Sequence, residues 1–302
     1  MAGPVVLTGA TGFIGTAILE SLITSGRPVR ALTRRQRPDT DTVQWIHGDL
    51  HDREALQELV AGADAIIHCA GAVRGASLND FSRVNTEGTL NLVETAVRNA
   101  SRCRFLLVSS LAAREPQISW YAASKYAAEQ TLSEHAGRMP WTVLRPTAVY
   151  GPGDRELSPL LRITRYGILP MPGRTATRFS LLHVNDLVAA ILSWLSVGEP
   201  VPGIYELDDG TPGGYDRHSL AEIASRVWGR PVRPLAVPAS LMFMAAGTNL
   251  WLSRLFRYSP MLTPGKVREL LHHDWACDNT PLARALDWQP RVRLPDALQD
   301  AT

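Results

Sequence analysis

Short, wholly apolar runs alternate along the first half of the chain with longer stretches whose apolar residues recur at helical spacing. Val5-Val6-Leu7-Thr8 is the first run, and beyond a glycine-rich turn Phe13, Ile14, Ala17, Ile18 and Leu22 carry a helical period to Gly26. Runs at 29–33, 43–47, 65–68, 105–108 and 141–144 predict further strands, the last stopped by Pro146, with helices over 53–61, 81–99 and 121–135. Strands apolar on both faces, separated by amphipathic helices, predict a parallel sheet covered on both sides, an α/β doubly wound fold. After about residue 150, prolines and glycines break the pattern until a helix at 183–197 and a strand at 203–207; from Thr211 onward helical segments are separated by prolines. This change of texture predicts a smaller, mostly helical C-terminal lobe made of 151–177 and 208–302, with the chain returning to the sheet around 178–207.

Composition narrows the function. Across 302 residues, 31 basic side chains are interleaved with 29 acidic ones for a net charge of +2, so neither a nucleic-acid partner nor an anionic membrane face is expected. Only Lys125 and Lys266 among the basic residues are lysines. Cys69, Cys103 and Cys277 are widely spaced and read as buried small hydrophobes in a reducing compartment. The eight histidines show no metal-ligand spacing, and His272 and His273 are expected to point apart, so no metal site is predicted. The N-terminus runs straight into a strand without a charged and then apolar leader, and the apolar stretch from Leu235 to Ala246 contains Pro238 and is too short to span a bilayer. A cytoplasmic location is the expectation.

The first turn, Thr8-Gly9-Ala10-Thr11-Gly12-Phe13-Ile14-Gly15, spaces three glycines by three between strand and helix. Gly9 lets the chain turn, Gly12 lets amides approach a pyrophosphate and Gly15 lets helix and strand pack closely, which predicts a dinucleotide site in a Rossmann domain over 1–150. Where the second strand ends, an acidic residue would hold the ribose hydroxyl of NAD; this chain has Thr33 followed by Arg34, Arg35 and Arg37. Planar guanidinium groups suit a 2′-phosphate, so NADP(H) is favoured over NAD(H), the alternative being a solvated loop in an arginine-rich chain. Asp49 either accepts from the adenine amino group or caps the helix beginning near Arg53.

Tyr121 and Lys125 stand four apart on one predicted helix and share a face, while Ser109 and Ser110 close the preceding strand. In an open parallel sheet the carboxyl ends of the strands border the ligand crevice, so these groups can converge there. A serine hydroxyl polarises a carbonyl, a tyrosine exchanges a proton, and a lysine lowers the phenol pKa and binds ribose hydroxyls.

In these motifs the chain resembles an extended short-chain dehydrogenase/reductase of the NAD-dependent epimerase/dehydratase family. Gly48-Asp49-Leu50, His68-Cys69-Ala70-Gly71, Asn85 in Val84-Asn85-Thr86-Glu87-Gly88-Thr89, Arg145-Pro146 with Tyr150-Gly151-Pro152-Gly153, His183-Val184-Asn185-Asp186-Leu187 and Leu286-Asp287-Trp288-Gln289-Pro290 extend the match over nearly the whole length. The resemblance implies that Ser110 is the catalytic serine, Tyr121 the acid/base and Lys125 its partner, and that Leu50, Cys69, Ala70, Gly71, Ser109 and Pro146 join the glycine turn in holding the cofactor. It also implies a homodimer through the helices at 81–99 and 121–135.

Two departures bear on the substrate. The stretch between Ser110 and Tyr121 is shorter than in nucleotide-sugar enzymes, and Leu111-Ala112-Ala113 replaces the acidic pair of sugar dehydratases. The lobe, with Val237-Pro238, Leu241 to Met244, Trp251, Leu255-Phe256 and Leu262-Thr263-Pro264, is closer in character to the 3β-hydroxysteroid dehydrogenase and dihydroflavonol reductase branch; its apolar stripe either lines a hydrophobic substrate pocket or is core. Smaller expectations are that Arg178 binds a substrate phosphate or forms a surface ion pair, Asp186 anchors its helix, Tyr150 lines the cofactor edge, Trp120 walls the pocket, Asn85 ties the long helix to the active-site strand and Lys266 is a surface charge.

The leading expectation is an NADP(H)-dependent oxidoreductase interconverting a carbonyl and a secondary alcohol on a small, fairly apolar substrate. The alternatives are a nucleotide-sugar epimerase that retains NAD and a non-catalytic dinucleotide-binding protein; the intact Ser110, Tyr121 and Lys125 speak against the last.

Overall fold

The computed structural model describes residues 3–100, 103–173 and 177–300, so what the sequence suggests for positions 1–2, 101–102, 174–176 and 301–302 lies outside the described residues. The chain opens with β1 (Val5–Thr8), α1 (Phe13–Thr24), β2 (Val29–Thr33), β3 (Val43–His47), α2 (Arg53–Val60) and β4 (Ala65–His68). A long helix follows as α3 (Leu78–Ser82) and α4 (Gly88–Asn99), joined by a π-helical turn at Arg83–Glu87. Next come β5 (Arg104–Val108), α5 (Trp120–His135), β6 (Trp141–Pro146), β7 (Ala148–Tyr150), α6 (Ser158–Ile163), β8 (Ile168–Pro172), β9 (Arg178–Phe179), β10 (Leu181–His183), α7 (Val184–Ser196) and β11 (Gly203–Leu207). The remainder is α8 (Arg217–Trp228), β12 (Arg233–Val237), α9 (Ala239–Phe256), α10 (Pro264–Leu271), β13 (Asp274–Trp275), α11 (Thr280–Leu286) and α12 (Leu294–Asp300).

Seven strands form one sheet in the order β11-β6-β5-β4-β1-β2-β3, every neighbouring pair parallel. The order reverses between β1 and β4, and ligands of such sheets bind at that reversal, beyond the strands' carboxyl ends. One apolar core packs α1, α7 and α11 against one face; a second packs α2, α4 and α5 against the other. A third, around Leu161, Leu169, Leu181, Tyr215 and Leu220, joins α6, α8 and α12.

The structure departs from the sequence pattern in several places. β6 ends at Pro146, as expected, but runs two residues beyond the expected 141–144, with Pro146 itself paired to Leu207. The region after Thr147, read as broken chain and helices, forms parallel strand pairs β7–β10, β8–β12 and β9–β13; β7, β9, β10 and β13 have three residues or fewer, and Pro170, Pro172 and Pro234 interrupt the pattern of β8 and β12. Asp186 accepts from the amides of Arg291 and Val292, so it ties α7 to the C-terminal segment, while His183 caps the helix. The His272 and His273 rings lie 4.7 Å apart and His272 stacks 4.4 Å from Trp275, where divergence was expected. Of the three free cysteines only Cys103 is fully buried; Cys69 and Cys277 are half-buried.

Candidate active site

A cavity of about 1430 Å³ opens at the carboxyl ends of β1, β4, β5 and β6 and extends beneath the lobe. It exceeds the roughly 300–1,000 Å³ of common ligand pockets, leaving room for two molecules. Gly9, Thr11, Gly12, Phe13, Ile14 and Gly15 line one end, and Cys69, Gly71, Ser109, Ser110, Tyr121 and Pro146 the middle. Gly9 has φ +75°, and a Cβ on Gly15 would lie 2.0 Å from the Gly9 carbonyl oxygen, so both positions require glycine. Gly12 opens α1 with no side-chain cap, which leaves the helix's positive end facing the cavity. These residues fit the pyrophosphate of a dinucleotide.

The other expected cofactor residues stand outside this lining. Thr33 is buried and its hydroxyl closes a turn with Arg35. Arg34 and Arg35 are exposed at the end of β2 and their guanidinium groups make no hydrogen bond or ion pair among the described residues, whereas Arg37 stacks over Trp45 at 4.9 Å. Asp49 does not cap α2; its carboxylate takes the amide of His51, and Asp52 is the cap. Leu50 is buried against Gly88, and the Ala70 amide donates to the Thr8 hydroxyl.

The strand-end histidine holds the crevice together. His68 is fully buried between the Thr8 hydroxyl, 2.6 Å from Nδ1, and the Thr89 hydroxyl, 3.0 Å from Nε2. Thr89 already gives its proton to the Asn85 carbonyl, so His68 Nε2 is the donor and Nδ1 the acceptor. Burial, with Lys125 nearby, lowers its pKa from 6.5 to about 3, and the ring stays neutral.

Ser119 caps α5 by accepting from the Ala122 amide, and the first two turns of that helix present Tyr121 and Lys125. The Ser110 hydroxyl lies within hydrogen-bonding reach of the Tyr121 side chain and accepts from the Ala112 amide, opening a 3₁₀ turn at Leu111–Arg114. Lys125 is buried under the turn at Cys69–Gly71, its Nζ donating to the Val108 carbonyl at 2.9 Å, and burial lowers its pKa. Asn85 sits in the π-helical turn, where it bonds both backbone groups of Ala72 and the Ser124 hydroxyl. It therefore ties the long helix to α5 and to the segment after β4 rather than to the active-site strand.

Three expectations change here. The phenol of Tyr121 is pushed up, not down: burial dominates, and the groups that draw it back are the Ser110 hydroxyl and the Lys266 ammonium. Lys266 is no surface charge. α10 packs so closely on the start of α5 that a Cβ on Gly265 would lie 3.0 Å from the Ser119 Cβ, and the next residue places its Nζ 6.0 Å from the Tyr121 ring centroid. There Lys266 donates to Glu269 at 2.8 Å, while the Ser119 hydroxyl donates to the other oxygen of the same carboxylate. Burial opposes the lysine's charge, but Glu269 holds its pKa above the ordinary value. The scarcity of lysine was the one signal in the sequence that could have pointed to it.

The third change concerns Ser109, whose hydroxyl is taken by the buried Glu129. Arg145 clasps that carboxylate through Nε at 3.0 Å and Nη2 at 2.6 Å and reaches Glu206 on β11 at 3.7 Å. Ser109 thus belongs to a polar brace beneath the site. Tyr150 is buried in the third core with its ring 5.3 Å from His183, away from the cofactor edge. Trp120 lines the cavity. Arg178 also lines it, donating to the Gly213 carbonyl at 3.3 Å and making no ion pair among the described residues.

A parallel sheet of this order, a glycine turn at the first helix and a serine–tyrosine–lysine group at the strand ends define a nicotinamide-dinucleotide enzyme of the extended short-chain dehydrogenase/reductase class. The chain belongs to the NAD dependent epimerase/dehydratase family, whose model matches residues 5–207. It is 37% identical to the ceramide reductase of Caulobacter vibrioides over 291 residues, covering 94% of this chain and 89% of that protein. It is 27% identical to the 2-alkyl-3-oxoalkanoate reductase of Stenotrophomonas maltophilia, covering 98% and 97% of the two chains. Its fold matches that of MoeE5 bound to UDP-glucuronic acid and NAD with a TM-score of 0.75 at 24% identity, over 98% of this chain and 96% of the other.

Proposed function

We propose that this enzyme reduces a ketone to a secondary alcohol on a long-chain, lipid-like substrate, using NADPH in the cytoplasm. The observation that carries this reading is the apolar part of the cavity's lining, Leu160, Leu161, Leu169, Met171, Val237 and Met242, in the same cavity as Ser110 and Tyr121. A long aliphatic chain matches such a wall. The two reductases at 37% and 27% identity bear lipid and alkyl-oxoacid substrates in their names, which agrees in chemistry.

The roles follow from the geometry. Ser110 would donate to the carbonyl oxygen and polarise it, and Tyr121 would pass its proton to that oxygen as the alcohol forms. A phenol held neutral by burial is suited to giving a proton, which favours the reducing direction. The nicotinamide, when bound, supplies the hydride. The turn from Gly9 to Gly15 would hold its pyrophosphate, Lys125 its ribose, and the exposed guanidinium groups of Arg34 and Arg35 at the end of β2 a 2′-phosphate.

The test is to mix purified enzyme with NADPH and, in separate reactions, a long-chain 3-oxo lipid and a UDP-sugar. Substrate-dependent loss of NADPH absorbance with the lipid supports the reading. Epimerisation of the UDP-sugar without net cofactor turnover would replace it with the epimerase reading.

A further inference from the structure

α9 is eighteen residues long, contains no acidic residue and a single base, Arg254, and yet buries only Ala246 and Ser253. A helix apolar on all sides is ordinarily enclosed by protein or lipid. Here Leu241, Met244, Trp251, Leu255 and Phe256 are half or more exposed, Phe256 reaching 68%. Of the eighteen exposed large apolar side chains among the described residues, thirteen lie within 160–168 and 235–270. These two stretches are joined by the β8–β12 ladder, and both line the cavity through Leu160, Val237 and Met242. No helix among the described residues is long and apolar enough to cross a membrane.

Charge follows the same boundary. The chain has no Asp or Glu from 157 to 185 or from 223 to 268, so the near-neutral total conceals a one-sided distribution. Arg162, Arg165, Arg230, Arg233, Arg254 and Arg257 are all exposed there, and none makes an ion pair among the described residues. Arg165 and Arg230 adjoin, the second donating to the first's carbonyl at 3.3 Å. Apolar side chains flanked by unpaired arginines complement a surface that offers acyl chains beneath anionic headgroups. A protein partner covering this face would need to supply both an apolar groove and at least as many acids.

We propose that α9, together with the exposed edge formed by α6 and β12, lies in the headgroup region of an anionic phospholipid bilayer and sets this side of the cavity against the membrane. The proposal runs against the expectation drawn from the net charge, a total that averages over the acid-free stretches 157–185 and 223–268. The membrane surface stands on the helix and its charges alone; that a lipid ketone enters through it rests on the function proposed above.

Flotation of the full-length protein with vesicles decides the matter, without cofactor or substrate. Vesicles of phosphatidylglycerol and phosphatidylethanolamine should carry roughly tenfold more protein than phosphatidylcholine vesicles, and high salt should release it. The double variant Trp251→Glu/Phe256→Glu should lose flotation, and Arg254→Gln/Arg257→Gln should lose only the preference for anionic lipid. Brominated acyl chains should quench tryptophan fluorescence in the wild type and much less in Trp251→Phe, a variant too mild to disturb folding at so exposed a site. Absence of flotation, or flotation undiminished in the Glu variant, overturns the proposal. So does a dimer that the Glu variant dissociates in the absence of vesicle binding, which would make a second copy the cover of α9. Vesicle binding without reduction of any lipid ketone would leave the membrane surface standing and remove the substrate reading.

Discussion

Helices α7 and α9 are alike in composition and opposite in fate. α7 reads Val-Asn-Asp-Leu-Val-Ala-Ala-Ile-Leu-Ser-Trp-Leu-Ser and buries eight of its thirteen residues, Trp194 completely, between the sheet and α1. α9, eighteen residues with as strong an apolar bias, buries two. The difference lies in what each helix meets. α7 joins β10 to β11 and crosses a sheet face that must be covered, whereas α9 leaves β12 in a two-stranded pair with no sheet beneath it. Apolar content thus states that a helix needs a cover, and topology decides whether the chain itself provides one.

The contrast between the covered faces of the sheet and the open face of α9 can be broken or sharpened by substitution and by pH. The largest effect belongs to the chemistry at the junction of the two. Tyr121→Phe should lower turnover by about a thousandfold or more while leaving cofactor affinity near wild type in a fluorescence titration. Surviving turnover would remove Tyr121 from the reaction.

Next comes the sheet domain's response to acid. His68 has a folded pKa of about 3 against an unfolded value of 6.5, so below pH 6.5 the unfolded chain binds more protons than the folded one. Its contribution is fully present above pH 6.5 and is lost as pH falls toward 3, with about 2 kcal/mol gone between pH 7 and pH 5. Denaturant titrations at the two pH values check this, and His68→Gln should flatten the slope.

Replacing Arg34 and Arg35 together by Ala should raise the NADPH KM about tenfold and leave the NADH KM unchanged, since charge-assisted contacts to a phosphate are worth about 1.5–3 kcal/mol. Equal losses for both cofactors would assign these arginines to the solvated loop instead.

The lobe's influence on the chemistry is smaller and has a definite sign. Lys266→Met removes a positive charge that favours the phenolate and leaves Glu269 unpaired, and both changes raise the pKa of Tyr121. The pH–rate profile for kcat/KM should therefore shift its tyrosine limb to higher pH. An unmoved limb would mean that the lysine merely props α10.

The smallest effect is expected on α9 itself. Trp251→Ser, at 63% exposure, should change stability in solution by less than about 0.5 kcal/mol, where truncation of a buried residue such as Ile67 costs about 2–5 kcal/mol. A large loss at Trp251 would show that α9 is part of the protein's own core.

Much of the fold and of the site's center could be read from the residues in order. The seven sheet strands and the helices over them follow from runs and periods a few residues long, and the glycine turn was legible because the spacing of Gly9, Gly12 and Gly15 is itself the structural requirement. Tyr121 and Lys125 share a face because four residues are about one helical turn. Other features had no local signature. Ser109 looks like Ser110 in sequence, but alternation along the chain sends its hydroxyl to Glu129, the carboxylate that Arg145 clasps. The π-helical turn at Arg83–Glu87 lies inside an unbroken helical pattern, and the strand pairs of the lobe are two to five residues long.

What the sequence by itself determined is the set of elements and the motifs internal to them, because those depend on dihedral preferences and on periods of two and 3.6 residues. The tertiary structure decided which distant elements meet. Ser119 and Glu269 are 150 residues apart and hydrogen-bonded, and their contact carries the chain's second lysine to within reach of the tyrosine that the first lysine follows by one helical turn. α9 packs on α10 alone among the larger helix contacts, and only Ala246 and Ser253 of its residues are buried. Burial and proximity are properties of the assembled surface, so neither Lys266 as a neighbour of Tyr121 nor α9 as an open apolar face could be read before the chain was folded.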